Sequence, residues 1–176
     1  MKTVIKIILV CILFFLHVSN IPGGYLVFSE SMRIRAERFC FYNQIKDEPF
    51  SEQLLRKVIA FEQIKYPEIV ILQAQLETGF YTSDIFLNGH NCFGMKHPKY
   101  RSTVATGTYQ GHAQYNNWID SVIDYKIWQL WYLSRGYRIN GNDDKELYLV
   151  FLDCIKYAED PHYIPKLVNL LQREIT

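Results

Sequence analysis

Gln73-Ala74-Gln75-Leu76-Glu77-Thr78-Gly79-Phe80 closes a helical pattern that opens at Pro67. Pro67 suits the first position of a helix, where a missing N–H costs nothing. Ile69, Val70, Leu72 and Leu76 continue the apolar spacing, and Gly79 marks the end. Glu77 therefore stands at a helix C-terminus, where partial negative charge disfavours a second negative group and raises its pKa. Apolar neighbours in sequence, Leu76 and Phe80, with Phe93 further on, would raise it again by desolvation. A carboxyl kept protonated near neutral pH suits protonation of a glycosidic oxygen. Residue physics alone leaves open the blander alternative, an exposed glutamate at a helix end.

Outward from this stretch, Ser51 offers an N-cap to a helix carrying Leu54, Leu55, Val58, Ile59 and Phe61. Residues 88–117 change character: Gly89, Gly94, Gly107 and Gly111 interrupt a segment rich in Thr, Tyr and Ser. Arg101–Thr106 and His112–Tyr115 are expected as short strands of a hairpin. Helical pattern returns from Trp118 to about Leu133, apolar nearly all round, which predicts a central helix. Asp120 is expected to cap it. The polar loop 140–144 precedes another helix to about Ile155. Asp160-Pro161 starts a last one, with Ile164, Leu167, Val168 and Leu171 on its buried face. The predicted class is α+β, mostly α, with a small β-hairpin insert.

At the N-terminus, Lys2 and Lys6 flank the ten-residue apolar run Ile7–Leu16. A positive start and a short apolar core form the pattern of a secretory signal. The run is short for a membrane span of roughly twenty residues, and Val18-Ser19-Asn20 is a poor cleavage site, so a signal peptide and a membrane anchor both remain open for residues 1–24. Residues 25–50 read as an arm with few signals, and residues 51–176 as the main domain.

The 176 residues carry a net charge of +1, with no run of like charge. Nucleic acid is thereby a poor partner. Aromatic residues make up 15% of the chain, which fits core packing or a sugar-binding groove. Beyond the first segment stand Cys40, Cys92 and Cys154. No C-x-x-C occurs and no His or Cys spacing suits zinc, so free thiols or at most one disulfide are expected, with no metal and no cofactor.

Four segments stand in order along the chain. They are Gln73–Phe80, then Asn91-Cys92-Phe93-Gly94-Met95-Lys96, then Tyr115–Ser121 with Asp124-Tyr125, then Tyr157-Ala158-Glu159-Asp160-Pro161-His162-Tyr163 with Lys166-Leu167. Together, over roughly residues 51–174, they resemble the glucosaminidase family of bacterial cell-wall hydrolases, the group of flagellar peptidoglycan hydrolases and autolysins. The resemblance implies a lysozyme-like fold and cleavage of the β-1,4 bond after N-acetylglucosamine in peptidoglycan. It places the family's catalytic glutamate on Glu77 and its active-site tyrosine, in Tyr-Ala-x-Asp-Pro, on Tyr157. Asn91, Phe93, Gly94, Met95 and Tyr115 follow as groove residues: Gly94 for close backbone approach to a sugar, Asn91 for hydrogen bonds to it. The expected partner is the glycan strand, met by an exported monomer in the periplasm or envelope.

One departure matters. Many relatives carry a second carboxylate in the β insert, but no Asp or Glu lies between Asp84 and Asp120 here. The substrate's own acetamido group, a more distant acid (Asp84 or Asp120), or an inactive enzyme would each account for that. A lytic transglycosylase or muramidase, and a non-catalytic glycan-binding protein on the same fold, are the competing readings.

Overall fold

The computed structural model describes residues 30–137, 139 and 145–175. The expected signal or anchor and the polar loop 140–144 lie outside the described residues. The described residues divide into two compact units, one ending at Pro49 and one starting at Phe50. In the first, Glu30–Ile45 forms helix α1, where the sequence suggested only an arm. Its mixed charged and apolar residues make no stripe, so periodicity gave no signal for it. Arg33 and Glu37 pair along its exposed surface at 3.2 Å.

The second unit opens with α2, Glu52–Phe61, capped as expected by Ser51, whose hydroxyl accepts the Leu54 N–H at 3.2 Å. Leu54, Leu55, Val58 and Ile59 form its buried face. Each such side chain contributes roughly 1.5–3 kcal/mol on burial. Helix α3, Pro67–Glu77, has Pro67 in its first turn and buries six consecutive residues, Ile69–Ala74. This, rather than the helix expected over Trp118–Leu133, is the central helix. It packs against α2 and against the last helix, α7, Tyr163–Ile175.

Gly79, Phe80 and Tyr81 all adopt positive φ after α3, making one left-handed turn. Thr78 holds that turn by accepting the Tyr81 N–H at 2.8 Å while donating to the Ala74 carbonyl. A short helix α4, Asp84–Leu87, follows, capped by Ser83.

The hairpin comprises β1, Gly107–Tyr109, and β2, His112–Gln114, antiparallel with Thr108 opposite Ala113. Gln110 and Gly111, both at positive φ, form the two-residue turn whose twist suits a hairpin. The first strand thus falls after 101–106, where it was expected. In that segment Asp124 takes the Arg101 side chain and the Val104 N–H, at 3.2 Å, so the backbone bonds to a buried carboxylate instead of a ladder.

Helix α5, Trp118–Leu133, has the predicted bounds, but Asn117 is its cap: its Oδ1 accepts the Asp120 N–H at 3.0 Å and its amide returns a bond to the Asp120 carboxylate at 3.2 Å. Ser121, Val122, Asp124, Tyr125 and Gln129 are its buried residues, while Trp128, Trp131 and Tyr132 are only half-buried. Its all-round apolarity serves a cleft on one side and the core on the other. Helix α6, Lys145–Cys154, then leads through a turn to α7. Among the described residues, seven helices and one hairpin make the α+β, mostly α, class read from the sequence. Cys40, Cys92 and Cys154 are free thiols, Cys92 alone being buried.

Candidate active site

A cleft of about 740 Å³ opens where α3 ends. Leu76 and Glu77 enter it from α3, and Phe93, Gly94, Met95 and Lys96 form one wall. The turn Tyr157–Asp160, with Tyr163 and Lys166 of α7, contributes another. Trp128, Trp131 and Tyr132 of α5 add three aromatic rings at i, i+3 and i+4.

Burial pushes the Glu77 carboxyl up to about 7, and a hydrogen bond from the Tyr163 hydroxyl pulls against that shift. Leu76 and Phe93 share the cleft with Glu77, but Phe80 does not: the left-handed turn leaves it 58% exposed. A carboxyl with a midpoint near 7 can give up a proton and take one back at neutral pH.

Gly94 lies against this carboxyl. A β-carbon at position 94 would collide with Glu77 Oε2, and the residue holds φ +61°. The glycine thus admits the catalytic candidate itself, where a close approach to sugar was expected.

The turn carrying Gly94 is built by Asn91, which is 1% exposed. Its amide donates to the carbonyls of Met95 at 2.9 Å and Ala113 at 2.8 Å. Its Oδ1 accepts from the N–H groups of Phe93 at 3.1 Å and Met95 at 3.2 Å. All four hydrogen-bonding positions are spent on backbone, so Asn91 stands behind the cleft wall, with nothing left for a sugar. Phe93 and Met95 border the cleft but are themselves buried.

Tyr115 also lies behind the wall. It is 2% exposed, and its hydroxyl donates to Asp124 at 2.9 Å. Asp124 forms a two-point ion pair with Arg101, at 2.8 and 3.0 Å, sealed from solvent. Burial pushes the Asp124 carboxyl up, but its bonds to Arg101 outweigh this and hold it below the usual range. This hub pins the segment 101–104, and Arg101 itself lines the cleft.

The Tyr157 hydroxyl donates to the Phe93 carbonyl at 2.9 Å, tying the two walls together. Its ring stacks on Tyr163 with centroids 5.7 Å apart and meets Trp128 edge-on at 5.3 Å. Lys96 and Glu159 make a second tie at 2.7 Å.

Tyr163 was not singled out from the sequence, and nothing local marks it: its partner Glu77 is fixed only by the packing of α7 on α3. The rings on α5 carried a signal, their i, i+3, i+4 spacing, which a buried face shares. Asp84 and Asp120 lie outside the cleft. Asp84 accepts from the Tyr109 hydroxyl at 2.7 Å and also bonds Asn88 and Gln110. Among the described residues, Glu159 and Asp160 are the other carboxylates in the cleft, and Lys96 and Lys166 engage them at 2.7 and 2.6 Å. No group of three His, Cys, Asp or Glu residues among the described residues could hold a metal.

A buried carboxyl with a midpoint near 7 on the wall of an aromatic cleft is compatible with glycan hydrolysis. The family model described as mannosyl-glycoprotein endo-beta-N-acetylglucosaminidase matches residues 54–175, and the chain belongs to this glucosaminidase family. Neither a curated protein nor a solved structure matches the chain.

Proposed function

We propose that this chain is an endo-β-N-acetylglucosaminidase that cleaves the β-1,4 bond after N-acetylglucosamine in peptidoglycan, with Glu77 as the general acid. The observation that carries the proposal is the Glu77 carboxyl, held near 7 in a cleft that also contains Tyr157 and three aromatic rings. Glu77 protonates the glycosidic oxygen as the C1–O bond breaks. The carbonyl oxygen of the substrate's own 2-acetamido group closes on C1, and the resulting cyclic intermediate is opened by water, whose proton returns to the Glu77 carboxylate.

Two features support substrate assistance. The remaining carboxylates of the cleft are already paired with lysines. The proton of Tyr157 is committed to the Phe93 carbonyl, which leaves its oxygen as an acceptor for the acetamido N–H. That contact orients the amide and makes its carbonyl a better nucleophile.

The test is product analysis on purified sacculi. Wild-type protein releases muropeptides with reducing N-acetylglucosamine ends, and Glu77→Gln, still folded, releases none. Unchanged release by that variant removes Glu77 from the mechanism. Anhydromuramyl ends would identify a lytic transglycosylase instead, and binding without turnover a glycan-binding protein. We place the enzyme in the cell envelope, exported by its lysine-flanked apolar N-terminus; fractionation of cells expressing the full chain tests this, and recovery in the cytoplasm would overturn it.

A further inference from the structure

One stretch of the cleft wall, residues 97–100, is held only at its ends. On one side the Met95 carbonyl accepts the Ala113 N–H at 2.8 Å, and Lys96 pairs with Glu159 at 2.7 Å. On the other, Arg101 is locked onto Asp124 at 2.8 and 3.0 Å. Among the described residues, no hydrogen bond, ion pair or ring contact involves residues 97–100. Pro98 gives this span its course without such bonds: its ring fixes φ, removes an N–H that would need a partner, and holds His97 extended. Pro98, Lys99 and Tyr100 all line the cleft that contains Glu77.

Two side chains of this span differ from the rest of the cleft. Tyr100 is 86% exposed, the most exposed large apolar residue among those described. The rings of α5 and Tyr157 are packed on one another: Trp128 meets Tyr132 and Tyr157, and Tyr132 meets Trp131. Tyr100 keeps a flat apolar face with no ring against it, the shape that stacks on the apolar face of a pyranose. Lys99 differs in charge. Lys96, Arg101, Lys156 and Lys166 each hold a carboxylate within 3.3 Å. Lys99 holds none among the described residues, so its charge is uncompensated where the neighbouring cations are already balanced.

We infer that residues 97–100 read the acidic substituent of the glycan: Lys99 takes a carboxylate carried by the lactyl arm of the muramic sugar, and Tyr100 stacks on a pyranose ring beside it. The inference deepens the proposed function and rests on peptidoglycan as the substrate. Each muramic sugar carries a lactyl arm that ends in a carboxylate, its own or, where a stem peptide is attached, the peptide's. A chitin strand has the same backbone linkage and acetamido groups but no acid. The free cation therefore discriminates between two glycans that the catalytic groups alone treat alike. Neither side chain has a partner to surrender when substrate arrives, so little of the binding energy is spent on breaking contacts within the protein.

The experiment measures binding by calorimetry with the full chain carrying Glu77→Gln, so that no strand is cut. Three soluble probes are compared: peptidoglycan strands with their stem peptides, the same strands stripped by an amidase to leave the bare lactyl carboxylate, and chitin oligomers of equal length. Adding Lys99→Met should lower the preference for acidic strands over chitin about fivefold, the upper worth of an exposed ion pair. The strand that carries the loss identifies the source of the carboxylate. The same preference should shrink as salt is raised. Tyr100→Ala should weaken all three probes about fivefold, and Tyr100→Phe, which keeps the ring, should restore them. An unmoved preference in Lys99→Met, or undiminished binding by Tyr100→Ala, overturns the inference. So does a lowered melting temperature at unchanged affinity, which would mark the two side chains as structural. Turnover of sacculi by wild type together with an unmoved preference defeats this inference alone; a moved preference without turnover defeats the enzymatic proposal alone.

Discussion

Gly94 and Glu77 occupy one another's space: the glycine has no side chain because the carboxylate oxygen stands where its β-carbon would be. Gly94→Ala must therefore displace Glu77 and also hold alanine at φ +61°. The backbone term costs about 1–2 kcal/mol, visible in urea denaturation. Displacement of a reacting group by about 1 Å lowers kcat on the order of 10²-fold. Full activity on sacculi in this variant would show that Glu77 does not need its present position.

Burial of Glu77 also ties stability to pH. Its midpoint, raised to about 7 from the ordinary 4.5, means that the folded state holds a proton that the unfolded state has already released. Stability therefore falls as pH rises through that window, by about 3 kcal/mol in all. Glu77→Gln lacks this term. It should match wild type at pH 4 and exceed it at pH 8, as measured by thermal melts at both pH values. An equal difference at the two would contradict the burial of the charge.

The same midpoint sets the pH dependence of the reaction. A general acid works only while protonated, so kcat/KM should fall tenfold per pH unit above about pH 7. With no second enzymatic carboxylate acting, no matching fall should occur at pH 4–5 while the protein stays folded. A bell-shaped profile with an acidic limb there would argue for an enzymatic base or nucleophile such as Glu159.

Asn91 distinguishes support from substrate contact. Asn91→Asp keeps the acceptor for the Phe93 and Met95 N–H groups but cannot donate to the Met95 and Ala113 carbonyls. The Met95 carbonyl keeps the Ala113 N–H, but two buried hydrogen bonds are lost at about 0.5–1.5 kcal/mol each, so the melting temperature should drop and kcat with it as Gly94 loses its placement. A change in KM at unchanged stability would mean that Asn91 reaches the glycan after all.

Arg101→Met leaves Asp124 charged, fully buried and without its cation. Breaking a buried pair costs about 3–5 kcal/mol. Since the Asp124 carboxyl is held below the usual range, the stabilisation it brings is present at neutral pH and lost as pH falls through that lowered value. The penalty for Arg101→Met should accordingly be large at pH 7 and shrink under acid, as read from urea midpoints.

The sequence by itself determined what depends on near neighbours. Ser51, Pro67 and Gly79 marked helix ends because capping, a missing N–H and a left-handed backbone are local matters. The placement of Glu77 at the end of α3 followed from those boundaries. Even there, Asn117 rather than Asp120 proved to be the cap, a difference of three positions that side-chain geometry decides. Only the tertiary structure decided which polar groups meet. Gln73 finds Tyr125 52 residues on and Tyr163 90 residues on, Asp124 captures Arg101, and Asn91 turns inward to backbone. Periodicity reports which face of an element is apolar, but a buried polar side chain is paired by whatever element packs against it, and that choice is made across the core.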